Sequence, residues 1–170
     1  MLEYKENTEK GTVHLKWTIE DIEMYAKAKD YIDTIILPLY PISFESDMVS
    51  TVEMTEFISL MAVQIERQFK GRILMLPAFP YILSSEGDVP IHELFNWEAE
   101  IYKSGFKHLF YLTSDSSWRT FEDSLSGSLI FLPEAPNSLL DPKYRNTILE
   151  DQVKQVYSLF TQKWQQIEQR

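Results

Sequence analysis

IILPLYP (residues 35–41) is followed along the chain by LMLPAFP (74–80) and then by IFLPEAP (130–136). In each stretch an apolar run reaches a leucine, a proline, two variable residues and a second proline. Proline has no N–H to donate to a β-ladder, so it is tolerated where a strand stops. The three stretches therefore predict three strands whose ends lie at one edge of one sheet. The prolines at those predicted ends are Pro38, Pro77 and Pro133.

Helical segments separate these apolar runs. One buried helical face is indicated by apolar residues that recur at steps of three and four, namely Met54, Phe57, Ile58, Met61 and Ile65. Predicted helices span 19–30, 51–70, 90–104 and 146–168; predicted strands span 34–37, 72–76, 106–112 and 128–132, with a short helix or turn between 113 and 127. Continuous apolar strands that alternate with helices are typical of a parallel sheet. We predict an α/β fold, a doubly wound three-layer α/β/α sandwich around a mainly parallel four-stranded sheet.

Length and composition indicate one domain. The chain has 170 residues, of which 44% are hydrophobic, and no cysteine, which excludes disulfides and thiolate chemistry. Residues 1–16 are polar and aperiodic and predict a flexible N-terminal tail before a single domain at 17–170. No apolar run approaches the ~20 residues of a membrane span, and the first residues lack the apolar stretch of a signal peptide. We expect a cytoplasmic protein without a membrane span.

The charge balance argues against nucleic-acid partners. Lys and Arg number 16 against 26 Asp and Glu, a formal net charge of −10. The basic residues are scattered singly among acids, so no basic patch is predicted for a phosphate backbone. We expect the partner to be a protein or a small molecule.

The carboxyl edge of the predicted sheet is the candidate site. Open α/β sheets bind ligands in the crevice outside their strand ends, and aromatic walls with a few polar groups are usual for such pockets. The alternative is that prolines end strands in any α/β protein and that loops are polar anyway. The candidate ligand-binding residues are Tyr40, Ser43, Glu45, Tyr81, His92, Ser114, Asp115, Trp118 and Arg119.

TSDSSWRT (113–120) is the strongest anion-binding candidate at this edge. Its hydroxyl groups and Arg119 lie at a predicted strand-to-helix turn, where backbone N–H groups can face an anion. The alternative, which we favour, is that Asp115 or Ser116 caps the short helix while Trp118 packs against a neighbour.

No complete catalytic or metal-binding set can be assembled. None of the five glycines lies between the first strand and the second helix, so a glycine-rich phosphate loop is absent and no cofactor is predicted. Glu45, Asp47 and Asp115 could form a carboxylate site for Mg²⁺ or Ca²⁺, although solvated loop carboxylates are the favoured interpretation. A serine nucleophile would have only His92 as its base. We predict neither catalytic residues nor metal ligands.

The last predicted helix carries one long apolar stripe. It consists of Leu149, Val153, Val156, Phe160, Trp164 and Ile167. We expect this stripe to cover one face of the sheet. If the stripe is wider than the sheet can bury, Tyr157 and Trp164 would form an exposed patch suited to a protein partner or to a homodimer through this helix.

KWTIEDIEMYAKAKDYIDTIILPLYPIS (16–43) and SGFKHLFYLTSDSSWR (104–119) carry a specific resemblance. The chain resembles the YpiF-like proteins of Bacillus-type Gram-positive bacteria, a family of uncharacterised function. The resemblance implies a cytoplasmic protein and a link to genes for the menaquinol–cytochrome c reductase. A remoter likeness is to the creatininase family of metal-dependent amidohydrolases, whose histidine motifs are missing here. That likeness implies a lost metal site, of which Glu45 and Asp115 remain only as nearby acids.

These observations favour a non-catalytic binding or assembly module. The alternative is a small-molecule enzyme, a degenerate creatininase-like hydrolase with its site at the carboxyl edge.

Overall fold

The computed structural model describes residues 15–133 and 142–169, apart from the side chains of Arg145 and Ile167. The helices are α1 (Ile19–Lys27), α2 (Met48–Gln68), α3 (Ile91–Lys103) and α4 (Pro142–Glu168), with a 3₁₀-helix at Ser116–Ser124. The strands are β1 (Thr34–Ile42), β2 (Ile73–Met75), β3 (Phe79–Ile82), β4 (His108–Thr113) and β5 (Ser128–Phe131). The predicted alternation of helices and strands is confirmed, except that β2 and β3 follow one another without a helix between them.

The five strands form one open parallel sheet in the order β2-β1-β4-β5, and β3 also pairs with β1. β2 and β3 lie one after the other along the same side of β1. The predicted count of four strands is therefore wrong by one, because the sequence pattern predicts no strand at 79–82. β3 has only four residues, and they alternate between buried and exposed, so it lacks the continuous apolar run of the other strands.

β1 does not end at Pro38, as the sequence predicted, but continues to Ile42. The amide groups of a strand point alternately to its two neighbours, and the carbonyl of Ile36 accepts from Leu76 on the β2 side. Pro38 therefore turns its nitrogen to that side, where the chain passes between β2 and β3 and no ladder residue lies opposite. Pro41 turns its nitrogen to the other side, beyond the last pairing with β4. Both prolines leave the ladder intact. Pro77 and Pro133 do follow strand ends, as predicted, but Pro77 lies between β2 and β3 beside β1 and not at the carboxyl edge of the sheet.

Helices cover both faces of the sheet. Ile35, Leu37 and Leu39 of β1 belong to one buried cluster, which also contains Leu94 and Ile101 of α3. The second cluster lies on the opposite face and joins the sheet to α2 and α4; its largest aliphatic and aromatic members include Ile36, Phe57, Ile58, Met61, Ile65, Phe110, Val156, Phe160 and Trp164. This division agrees with the predicted sandwich.

Leu15 ties the N-terminal segment to the sheet. Its side chain is fully buried in the first cluster, its N–H donates to Glu66 Oε1 at 2.8 Å, and its carbonyl accepts from Met75 N at 2.9 Å. Residues 1–14, most of the predicted tail, lie outside the described residues. Leu15 therefore packs with the domain, and the predicted tail boundary stays a prediction.

α2 is, within the described residues, the one helix whose length and composition would allow it to cross a membrane, with a mean hydropathy of 1.2. Core helices of soluble proteins pass the same test, and α2 places four large apolar residues in the second cluster. The expected absence of a membrane span stays a prediction.

Candidate binding edge

The strand order places a topological switch point between β1 and β4. The chain leaves β1 for β2 and β3 on one side and returns to β4 on the other. Loops that leave two such strands diverge, and the space between them is where open α/β sheets bind ligands. The loops here begin at Ser43 and Ser114.

A buried hydrogen-bond network closes part of this edge. The Tyr81 hydroxyl donates to Asp115 Oδ2 at 2.7 Å and accepts from Trp118 Nε1 at 2.8 Å. The other carboxylate oxygen of Asp115 accepts from Ser117 N at 2.9 Å, and the Asp115 N–H donates to Thr113 Oγ1 at 3.0 Å. Asp115 is only 4% exposed and Trp118 is fully buried. We call Tyr81, Thr113, Asp115 and Trp118 the Asp115 network.

Electrostatics keep the Tyr81 hydroxyl protonated. Burial is the largest cause of the raised pKa of Tyr81, and the hydrogen bond to Asp115 adds to it, because ionising the phenol would place two anions side by side. The phenol therefore acts as a permanent donor to Asp115. With both carboxylate oxygens engaged and almost no exposed surface, Asp115 offers no atom to a ligand in this conformation.

Of the two interpretations of residues 113–120, a helix cap and an anion site, the structure shows the helix cap. Asp115 is the N-cap of the 3₁₀-helix, and Trp118 packs edge-on against Tyr81 with the ring centroids 5.4 Å apart, as favoured from the sequence. Ser114 is also engaged, since its hydroxyl donates to the Leu132 carbonyl at 2.7 Å. Arg119 is exposed and lies over the Phe131 ring, with 5.1 Å from its guanidinium carbon to the centroid.

The remaining candidate residues lie apart from the Asp115 network. Tyr40 packs against the second cluster, on the opposite face of the sheet from Tyr81. Ser43 accepts from Glu45 N at 3.3 Å, and the Glu45 side chain is exposed. His92 is exposed on α3, edge-on to Phe95. Among the described residues, no group of three or more His, Asp or Glu side chains is placed to hold a metal ion.

A cleft of about 450 Å³ lies at the same edge, between β3 and the start of α3. Tyr81 connects it to the Asp115 network, but its hydroxyl points into that network. The cleft has mainly apolar walls and two exposed acids at its rim. We call it the β3 cleft, and it is lined by Pro80, Tyr81, Ile82, Ser84, Asp88, Val89, Pro90 and Glu93.

An exposed apolar surface lies beside the end of β1. Phe44, Met48, Val49 and Val52, which we call the α2 apolar surface, occupy the loop after β1 and the first turns of α2. Phe44 is 75% exposed and Val49 is 69% exposed. Acidic residues stand around it in the sequence: Glu45, Asp47, Glu53 and Glu56.

Sequence analysis missed both the β3 cleft and the α2 apolar surface. A partial signal for the surface existed, because Val52 falls outside the predicted buried stripe of the second helix, whereas Met48 and Val49 precede the predicted helix, which begins three residues later than the observed α2. No comparable signal marked the cleft, since its walls come from a strand that the sequence pattern does not predict.

A larger cavity of about 510 Å³ lies elsewhere, between α2 and α4 near the opposite edge of the sheet. Arg67, Lys70 and Lys154 stand around it together with Glu150, and all four are exposed. It shares no residue with the carboxyl edge.

Comparison with known proteins places the chain in a family. Residues 23–164 match the family described as "Protein of unknown function (DUF2487)". The chain is 33% identical over 150 residues to the "Uncharacterized protein YpiF" of Bacillus subtilis (strain 168), which covers 88% of this chain and 98% of that protein. No solved structure matches. The chain belongs to the DUF2487 family, and the resemblance to YpiF is confirmed, whereas nothing found supports the creatininase likeness.

Proposed function

We propose that this member of the DUF2487 family is a non-catalytic protein-binding module whose docking face is the α2 apolar surface. The exposure of Phe44, Met48, Val49 and Val52 at the ligand-binding edge of the sheet is the observation that carries the proposal. Exposed apolar patches on soluble proteins mark interaction sites, because leaving them in water is unfavourable. The fold does not require these side chains, since the core on this face is built by other residues.

The arrangement at the carboxyl edge gives less support to an enzyme. A general acid or base must reach a substrate proton through a hydrogen bond. Asp115 is the one buried carboxylate of the predicted pocket, and it is committed to Tyr81 and Ser117. His92 is exposed and lies apart from it. The hydrolase alternative would require the Asp115 network to open.

The charge of the molecule favours a protein partner over a membrane surface. Anionic lipids attract basic segments and repel acidic ones. The net charge is −10, and the exposed residues Glu45 and Asp47 lie between Phe44 and Met48 in the sequence. A neutral or basic protein surface fits this face better.

Addition of a partner strand to the sheet is a poorer mode of binding. β3 is an edge strand beside β1, and Pro80 faces outward from that edge, because its register partner Tyr40 bonds to the residues on either side of it. A proline on an edge strand removes a donor that an added strand would need. Side-chain docking on the α2 apolar surface remains the better mode.

A cytoplasmic location is part of the proposal. It is supported by the absence of cysteine from all 170 residues, which suits a reducing compartment but does not require one.

The proposal is tested by quantitative affinity purification from cells that naturally make the protein. The unmodified chain is compared with Val49→Gln/Val52→Gln and with Tyr144→Gln/Leu159→Gln, a control pair of exposed apolar residues on α4. We expect a discrete set of proteins to be recovered in smaller amounts with Val49→Gln/Val52→Gln than with the unmodified chain. The same proteins should be recovered in unchanged amounts with the α4 control pair. Equal recovery in both variants would contradict the proposal. Loss of self-association in the α4 pair alone would instead favour the homodimer through the last helix.

A further inference from the structure

The β3 cleft has the chemistry of a pocket for a long cationic side chain. Its apolar walls are Pro80, Ile82, Val89 and Pro90, and its polar atoms come from Ser84, Asp88 and Glu93. Lysine and arginine bury an alkyl stem along apolar surface while the charged head reaches polar partners. No basic residue lines the described cleft, so no lysine or arginine of the protein itself occupies it beside the two carboxylates.

The cleft and the α2 apolar surface adjoin through the sheet. Ile82, which lines the cleft and is 66% exposed, is the register partner of Ile42. Phe44 follows Ile42 by two residues, a chain distance of at most roughly 7 Å. A single bound segment can therefore contact both.

We infer that the β3 cleft receives a lysine or arginine side chain of the protein partner that docks on the α2 apolar surface. This inference rests on the proposed function and names the chemistry of the partner: an amphipathic segment with apolar residues beside a basic one. The net charge of −10 also favours encounter with a basic partner, because long-range attraction raises association rates. Arginine would gain most, since its planar guanidinium binds a carboxylate through two hydrogen bonds.

A small cationic probe tests the cleft directly. N-butylguanidinium carries the alkyl stem and the charge, and N-butylurea has nearly the same shape without charge. Backbone amide NMR titrations of the full chain are expected to show shifts within residues 80–93 for the guanidinium and none for the urea. Shifts scattered over all the acidic surfaces, or equal shifts with both probes, would overturn the inference.

A matched pair of variants separates the cleft from the general acidity of the protein. Asp88→Asn/Glu93→Gln removes two charges at the cleft, and Glu20→Gln/Glu23→Gln removes two exposed charges on α1. Glu20 and Glu93 both lie in the first turn of a helix, so the effect on helix dipoles is matched. We expect binding of N-butylguanidinium to weaken about two- to tenfold in the cleft variant, the range for one or two exposed ion pairs, and to persist in the control. Equal weakening in both variants would overturn the inference.

Binding of two peptides separates this inference from the proposed function. One is an amphipathic peptide of leucine and arginine, and the other is the same peptide with glutamine in place of arginine. Each is titrated into the protein and its variants. If Val49→Gln/Val52→Gln weakens binding of the arginine peptide while Asp88→Asn/Glu93→Gln equals its control, the inference falls and the proposed function stands. If the cleft variant alone weakens binding, the cleft is a cation site and the α2 apolar surface loses its assigned role. Weakening by both variants, with preference for the arginine peptide, is the result we expect.

Discussion

The two edges of the sheet differ in how they treat their side chains. At the amino edge, Arg72 donates to Asp33 from Nε at 3.1 Å and from Nη2 at 3.4 Å, and its guanidinium carbon lies 4.0 Å from the Trp164 ring centroid. Trp164 in turn donates to Thr34 Oγ1 at 3.0 Å. The aromatic and charged side chains at this edge are thus covered by other side chains of the same chain. These contacts cover the polar groups at the start of β1.

At the carboxyl edge the polar groups turn inward and the apolar ones outward. The Asp115 network is buried, whereas Phe44, Val49 and Ile82 are mostly exposed. Polar groups satisfied inside and apolar groups left outside are the reverse of what stability alone would select. The comparison teaches that the carboxyl edge keeps a group of apolar side chains exposed beside a buried polar network, and this is why we assign binding to it.

Trp118→Ala has the largest expected effect, because it empties the centre of the Asp115 network. A fully buried aromatic side chain replaced by alanine costs about 3–5 kcal/mol of unfolding free energy. Urea unfolding followed by circular dichroism measures this loss. The matched control is Trp97→Ala, which truncates a tryptophan that is 44% exposed and should cost markedly less. Similar losses in both variants would mean that the network is not a structural centre.

Tyr81→Phe should cost less, about 1–3 kcal/mol, because it removes the partner of Asp115 Oδ2 and of the buried Trp118 N–H. Urea unfolding measures this effect against Tyr31→Phe, in which the lost hydroxyl belongs to an exposed residue. A neutral result for Tyr81→Phe would show that water replaces the hydroxyl, and the network would then be open to ligands.

Acidification should weaken the amino edge first. His108 is buried, its Nε2 lies 3.9 Å from Asp33 Oδ2, and its neighbours also include Arg72, Lys107 and Glu168. Burial is the largest cause of its lowered pKa, so the folded protein holds this histidine neutral below the ordinary value of 6.5, while the unfolded chain takes up a proton. The contribution of neutral His108 to the free energy of unfolding is therefore fully present above about pH 6.5 and is lost as the pH drops below that value.

His108→Gln tests this pH dependence, with His92→Gln as the exposed control. Between pH 7.5 and 5.5 we expect the unmodified protein and the His92 variant to lose stability together, and the His108 variant to lose less. A second loss, below about pH 4, should follow from Asp33. Burial tends to raise the pKa of Asp33, but hydrogen bonds from Arg72 and Thr34 outweigh it and lower the pKa overall. Parallel pH profiles in all three proteins would contradict the role given to His108.

Val49→Gln/Val52→Gln should have the smallest effect on stability, within about 0.5 kcal/mol, because both side chains are exposed and glutamine is a good helix former. Thermal and urea unfolding measure it. A loss above about 1 kcal/mol would show that the α2 apolar surface supports the fold, which would remove the main argument for docking.

The sequence predicted those parts of the fold that depend on local patterns. The periodicity of α2 and the Asp115 cap of the 3₁₀-helix are local properties, and both are confirmed. Pro38 was misassigned because the cost of a missing N–H depends on whether a neighbouring strand lies opposite, which only the sheet order reveals.

The candidate site was harder to predict from the sequence for the same reason. Asp115, Trp118 and Tyr81 were named as candidates, but their mutual hydrogen bonds join residues up to 37 positions apart. Trp164 was considered for an exposed patch and is instead buried beneath Arg72, while Tyr157 is 44% exposed. Packing between helices and strands determines which apolar residues remain outside the core. Local sequence patterns therefore do not indicate these residues.

The most direct test of the account compares photo-crosslinking at the two edges. p-Benzoylphenylalanine replaces Phe44 at the carboxyl edge or Tyr31 before β1 at the amino edge, two aromatic residues that are 75% and 78% exposed. After irradiation of cells that naturally make the protein, we predict a discrete protein adduct at position 44 that is lost with Val49→Gln/Val52→Gln, and none at position 31. Equal adducts at both positions, or an adduct at position 31 alone, would contradict the assignment of binding to the carboxyl edge.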